Sequence, residues 1–340
     1  MPLETRAEPR ARSAAEWLRT LAKYREPNEW RSFYELAVTV LPLVALWVLA
    51  WWALAISYWL TLFITVPAAG FLLRLFLIQH DCGHGAFFRH RDVNDWLGRA
   101  IGVFTLTPYD VWRRSHAIHH ATSGNLDKRG IGDIDILTVR EYQALPAWRK
   151  IAYRLYRHPL VMFGLGPAYI FILMNRLPVG HMREGWAYWV SAMGTNAGIA
   201  LAASAVIYFI GLGPFLLVHL PIVMLASSAG VWLFFVQHQF EDTRWDDGGA
   251  WEFHDAALHG SSNYQLPAVL RWFSANIGVH HVHHLYSRIP YYRLPQVLRD
   301  FPELGEMGRL TMLESLSCVR LCLWDESQRK LVPLSQAAGS

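Results

Sequence analysis

Four stretches of this sequence are long, apolar and almost free of charge, and they restrict what the chain can fold into more than any other feature. A helix crosses the hydrocarbon core of a bilayer with about 20 apolar residues. Residues 36–56, 59–78, 186–210 and 214–236 each reach that length. Only Ser57 and Tyr58 separate the first two, and Gly211, Leu212 and Gly213 join the last two, so the four read as two membrane hairpins. Composition agrees: 17% of the residues are charged, against about 25% in soluble proteins. The second stretch contains Pro67 and, near its end, Arg74, whose long side chain is expected to snorkel to the interface. Residues 160–174 are apolar but shorter, hold Gly164, Gly166 and Pro167, and lie between Arg157 and Arg176. They are expected to lie in the interface or dip into it. Only an even number of crossings puts the histidine-rich regions before and after them on one side.

Lysine and arginine are absent between Arg31 and Arg74, and again between Arg183 and Arg244. Both connections predicted on the outer side are therefore free of positive charge. The positive-inside rule then places the N-terminus, the central loop and the C-terminal region on the cytosolic side. Trp51, Trp52 and Trp59 suit an aromatic belt on the far side. Residues 1–35 show no secretory signal; Leu18, Leu21 and Tyr24 suggest a helix lying on the membrane surface. The chain divides into a cytosolic N-terminal segment (1–35), a membrane and catalytic domain (36–300) and a cytosolic C-terminal tail (301–340). Neither repeats nor low-complexity tracts interrupt it, and nothing in the placement of charge points to nucleic acid. Cys82, Cys318 and Cys322 make no disulfide framework and read as reduced thiols.

The polar regions hold most of the 16 histidines, and their spacing carries the chemistry. His80 and His84 stand four apart. His116, His119 and His120 repeat an H-x2-H-H pattern, as do His280, His283 and His284. Residues three and four apart share a helix face, so each group is expected to present its imidazoles together. His281 falls about a quarter turn away and is expected beside the site or on the surface. An isolated H-x3-H pair is often a surface coincidence; two H-x2-H-H groups, each following a membrane hairpin, are not. Eight phased histidines exceed the three or four protein ligands of an ordinary zinc site, which argues for more than one metal. Imidazoles suit iron, copper, zinc and nickel alike. The absence of paired thiolates and of H-E-x-x-H favours redox chemistry. Asp81, Asp110, Asp133, Asp135 and Glu241 are candidates to orient ligand imidazoles, or are solvated loop acids. Cys82 reads as a small packing residue, and His219 as a structural one.

These motifs and their surroundings resemble the integral membrane fatty acid desaturases. Residues 80–84, 116–120 and 280–284 look like that family's three histidine boxes. Residues 108–113 (PYDVWR) and 121–125 (ATSGN) match around the second box, and residues 276–279 (NIGV) lead into the third. Residues 236–241 (VQHQFE) look like the family's additional ligand region and propose His238 as a ninth ligand. The resemblance covers roughly residues 35–300 and is nearest to the acyl-lipid, delta-12-like branch. It implies an all-α integral membrane fold, with four transmembrane helices in two hairpins and a cytosolic helical cap carrying a histidine-rich diiron site. The implied ligands are His80, His84, His116, His119, His120, His238, His280, His283 and His284. It further implies O2 as co-substrate, a fatty acyl lipid as substrate, and insertion of a cis double bond. Removing hydrogen from an unactivated methylene is beyond any amino-acid side chain, so the cofactor must carry that step. Aromatic and aliphatic residues are expected to line a narrow acyl tunnel. The resemblance adds an external electron donor of ferredoxin or cytochrome b5 type; Arg288, Arg293 and Arg299 either meet it or are ordinary positive-inside charge. Hydroxylation, ketolation and alkane oxidation are rival reactions on the same scaffold. A membrane metal transporter would need ionisable residues within the spans, which are nearly free of them here. A structural zinc protein is a third rival, to be separated by metal analysis.

Overall fold

The computed structural model describes residue 12 and residues 14–336. The chain begins with helix α1 (Ala14–Leu21). Two long helices follow, α2 (Glu29–Ala53) and α3 (Tyr58–His84). Asn28 caps α2 by accepting the Arg31 N–H at 3.0 Å. Gly85 ends α3 in the left-handed conformation, φ 65°, which costs glycine no Cβ clash. Helix α3 thus continues past the apolar stretch, and the first histidine pair forms its last turn. Pro67 lies inside it without breaking it.

The central region supplies α4 (Arg91–Phe104), α5 (Tyr109–Thr122), strand β1 (Leu137–Thr138), α6 (Val139–Ala144) and α7 (Ala147–Tyr156). A broken stretch follows, in which α8 (Gly166–Ala168) sits between two π-helical turns. The second long pair is α9 (Trp186–Ile210) and α10 (Leu212–His238), joined at Gly211. Beyond it come α11 (Phe253–His259), β2 (Asn263–Gln265), α12 (Ala268–Phe273), α13 (His280–Leu285), α14 (Leu294–Asp300), α15 (Pro302–Glu306), β3 (Arg309–Thr311) and α16 (Met312–Ser315). Strands β4 (Leu323–Asp325) and β5 (Lys330–Val332) form an antiparallel pair, and β4 runs parallel to β1. Strand β2 pairs in parallel with β3. These are small additions to a mostly helical molecule.

The four long helices are apolar enough to cross a membrane. They differ in what they face. In α3, 61% of the apolar window is buried, against 6% in α9, so α3 is the central helix and α9 lies on the outside of the four. Trp52 and Trp59 are exposed at the first hairpin turn. Residues 147–176 bend by 60°. Both ends of the broken stretch are held near the histidines. At its start Arg157 Nη2 donates to Gln239 Oε1 at 2.5 Å, next to His238. At its end Arg176 Nη2 donates to the Leu106 carbonyl at 2.5 Å, and the adjacent Thr105 donates to Gln79, beside His80.

Two local expectations fail. Arg74 does not snorkel: it is 1% exposed and ion-paired with Glu35 of α2. An internal carboxylate supplies the partner that the interface would otherwise provide. The N-terminal apolar residues pack largely against the protein itself. Of the three expected on the membrane surface, Leu21 and Tyr24 are buried and Leu18 is half-buried; the neighbouring Trp17 lies edge-on to Phe301 at 5.4 Å and Tyr24 donates to Asp300. The cap offers those side chains more complete burial than an interface would.

Candidate metal centre

Helix geometry sets the site. On an α-helix a residue four positions on is displaced by about 40°, and one three positions on by about 60° the other way. His116 and His120 therefore diverge from His119 although all three lie on α5. The structure uses this divergence. One group gathers His80 and His84 from α3, His116 and His120 from α5, and His283 from α13. The other gathers His119 from α5, His238 from the end of α10, and His280 and His284 from α13. Within each group the ligand atoms lie within 4.8 Å of one another. Each H-x2-H-H motif is thus split between two groups, where a shared face suggested one. The i,i+4 pair stays together and the middle histidine serves the neighbour.

The ring nitrogens converge. Nε2–Nε2 distances are 3.0 Å between His84 and His116, 3.1 Å between His116 and His120, and 3.2 Å between His120 and His283. In the second group His238 lies 3.1 Å from His119 and 2.9 Å from His280. Two nitrogens bound at right angles, each about 2.1 Å from one ion, would sit about 3.0 Å apart. The buried His284 Nε2 has no hydrogen-bond partner among the described residues. Converging imidazole nitrogens, one of them orphaned, fit metal ions at both places.

Electrostatics favour the same reading. Burial, reinforced by neighbouring histidines, holds His116, His120, His280, His283 and His284 well below the usual imidazole pKa. They are neutral at physiological pH, the state in which imidazole binds metal. The Asp133 carboxylate accepts from His119 Nδ1–H at 2.5 Å. That bond fixes the tautomer and leaves the Nε2 lone pair facing the second group. Asp133 in turn sits on a braced loop: Arg157 donates to the Asp135 carbonyl at 3.2 Å, and Gln239 to the Ile134 carbonyl at 3.1 Å. In the first group Asp81 lies 3.4 Å from His80 Nδ1, a long contact, and accepts the Tyr291 N–H at 2.8 Å.

The other candidate acids have different roles. Asp110 accepts two hydrogen bonds from Arg99, at 3.0 and 3.1 Å. Among the described residues, Asp135 and Glu241 bond no histidine of either group. Cys82 is buried in the core. His281 is not on the surface: it is fully buried and donates from Nε2 to the Leu304 carbonyl at 2.8 Å. Sequence reasoning missed Glu35, Arg157, Gln239 and Tyr291. For Glu35 and Arg157 the available signal was charge at the margins of apolar stretches, which calls for a partner; Gln239 and Tyr291 offered none. An open pocket of about 540 Å3 between Leu126, Arg129, Asp135, Arg149 and Tyr153 is lined by none of the nine candidate histidines.

Comparison with known proteins agrees with this geometry. Residues 57–315 match the family described as "Fatty acid desaturase". A "Fatty acid desaturase" of Bacillus subtilis (strain 168) is 45% identical over 312 residues, covering 92% of this chain and 88% of that one. An "sn-1 acyl-lipid omega-3 desaturase (ferredoxin)" of Synechocystis sp. is 30% identical over 69% of this chain and 66% of its own length. An "sn-1 oleoyl-lipid 12-desaturase" of Anabaena variabilis is 26% identical over 72% of this chain and 70% of its own. With two all-histidine groups at the ends of apolar helices and a family match over most of its length, the chain belongs to the fatty acid desaturases, a family of oxidoreductase enzymes.

Proposed function

We propose that the enzyme binds two iron ions, one in each histidine group, and uses O2 to insert a cis double bond into the acyl chain of a membrane lipid. The observation that carries this reading is the pair of adjacent all-imidazole groups, one buried and one partly buried, at the ends of the apolar helices. Bound iron supplies the oxidising power toward an unactivated methylene that side chains lack. The protein's residues do the rest. His80, His84, His116, His120 and His283 would hold one ion, and His119, His238, His280 and His284 the other. Asp133 keeps the His119 proton on Nδ1. The apolar helix ends exclude water and hold the chain near the histidines.

The reaction removes two hydrogens from the lipid and reduces O2 to two waters, so two electrons and two protons enter from outside. We assign the electrons to a separate protein of ferredoxin or cytochrome b5 type. One relative's name specifies ferredoxin for that relative. We place the chain with the acyl-lipid, delta-12-like branch, whose oleoyl-lipid 12-desaturase relative is distant at 26% identity. We place the histidine side and both termini in the cytosol on the positive-inside pattern.

Expression in a lipid-producing host, with double bonds located by mass spectrometry, tests the reaction. New cis-unsaturated lipids are expected; hydroxylated or ketolated products would overturn desaturation. Orientation is tested by single cysteines at the exposed positions Lys128, Glu184 and Arg288 in sealed vesicles. All three should label from the cytosolic side, and labelling of Lys128 and Arg288 from opposite faces would refute the shared site.

A further inference from the structure

Arg74 and Glu35 are opposite charges buried within the first hairpin, on α3 and α2, each 1% exposed. A charge buried in or at the edge of an apolar span is costly, calls for a partner and marks a candidate for function. The partners of this pair lie on both sides of α13. Arg74 Nη1 donates to the Trp272 carbonyl, and its guanidinium stacks over the Trp272 ring at 4.0 Å. Its Nη2 donates to Glu35 and reaches the Tyr291 hydroxyl at 3.4 Å. That hydroxyl donates to Glu35 Oε2 at 3.1 Å. Trp272 precedes α13 in sequence and Tyr291 follows it. One guanidinium on α3, less than two turns before His80, therefore holds both flanks of the helix that carries His280, His283 and His284. The Tyr291 N–H closes the arrangement on Asp81, between His80 and His84.

We infer that the Glu35–Arg74 pair is a positioning device that registers α13 against α3 and so assembles the five-histidine group. Only that group draws on both helices: His80 and His84 come from α3, and His283 from α13. The four-histidine group takes nothing from α3. Its link between α13 and α10 is separate, since Gln237 Nε2 donates to the Ile277 carbonyl at 2.9 Å. Loss of the pair should therefore weaken one group and spare the other. Arg31 also reaches Glu35, at 2.6 Å, but is half-exposed and replaceable by water.

The inference rests on the two-metal reading, and the test separates the two. Purified protein is titrated with cobalt(II), following bound metal per chain, the visible spectrum and the melting temperature. Wild type should bind two ions. A wild-type protein that binds none would refute the metal reading itself. Arg74→Met/Glu35→Gln, which leaves no lone buried charge, should bind one ion with an unchanged spectrum for the remaining site. Tyr291→Phe, which deletes a single hydroxyl, should weaken one of the two sites by about tenfold, as lost outer hydrogen bonds do. Arg74→Lys should restore most of the second ion. If the double variant does not fold, Tyr291→Phe decides. Two ions bound with wild-type affinity and spectra in the variants, or parallel weakening of both sites, would overturn the inference.

Discussion

The two histidine groups share α5 and α13 yet are built differently. The first has five imidazoles, three of them only half-buried; the second has four, all buried. The first is supported by a long Asp81–His80 contact, the second by a short His119–Asp133 bond. A six-coordinate ion would keep one free position in the first group and two in the second. Ligand number and outer support are thus distributed in opposite directions. The group with fewer imidazoles has the tighter carboxylate and the braced loop of Arg157 and Gln239. The difference teaches that a ligand inventory alone does not rank the centres.

The largest expected effect comes from removing ligands. His120→Ala and His284→Ala should each abolish desaturation while membrane insertion, set by the apolar helices, is retained. Metal analysis then distinguishes the groups. His116→Ala leaves four imidazoles and should retain both ions, whereas His280→Ala leaves three and should lose one. Equal metal loss would break the comparison.

Asp133→Ala is the next largest. It frees His119 to rotate and change tautomer, and should lower metal affinity at the four-histidine group by about 10–100-fold, with the five-histidine group unchanged. Titration with spectroscopic resolution of the two sites checks this.

Acid comes third. The five histidines with lowered pKa stay neutral in the folded protein but protonate near 6.5 when unfolded. The unfolded state then binds more protons, so metal-free stability should fall as pH drops through about 6.5 and level off above about 7.5. Each histidine contributes up to about 1.4 kcal/mol per pH unit. Denaturation at a series of pH values measures the slope. Bound metal should move the onset to lower pH, and a flat profile in the metal-free protein would contradict neutral burial of these rings.

The smallest effect should come from His281→Ala. It loses one buried hydrogen bond to Leu304 and should cost about 1–3 kcal/mol, with both ions retained. A loss of metal equal to that at His280 would show that His281 belongs to the site.

Much of this was legible in the sequence. Uncharged length located all four long helices, and four-residue spacing found the paired imidazoles His80 and His84, His116 and His120, and His280 and His284. These are local properties: span length follows from bilayer thickness, and i,i+4 proximity from helix pitch. The orienting acids were not separable by sequence. Asp110 and Asp133 look alike in the chain, yet one pairs with Arg99 and the other with His119.

The sequence by itself determined which segments must leave water and which histidines must travel together on a helix, because both depend on neighbours within a few turns. Only the tertiary structure decided that His119 and His283 serve opposite groups. It alone buried Arg74 against Glu35, and tied Tyr291 to Asp81. Those choices depend on how α3, α5, α10 and α13 are rotated against one another. Partners separated by tens to hundreds of residues meet only when the helices pack, and helix phase alone does not say which neighbour each side of a helix will face.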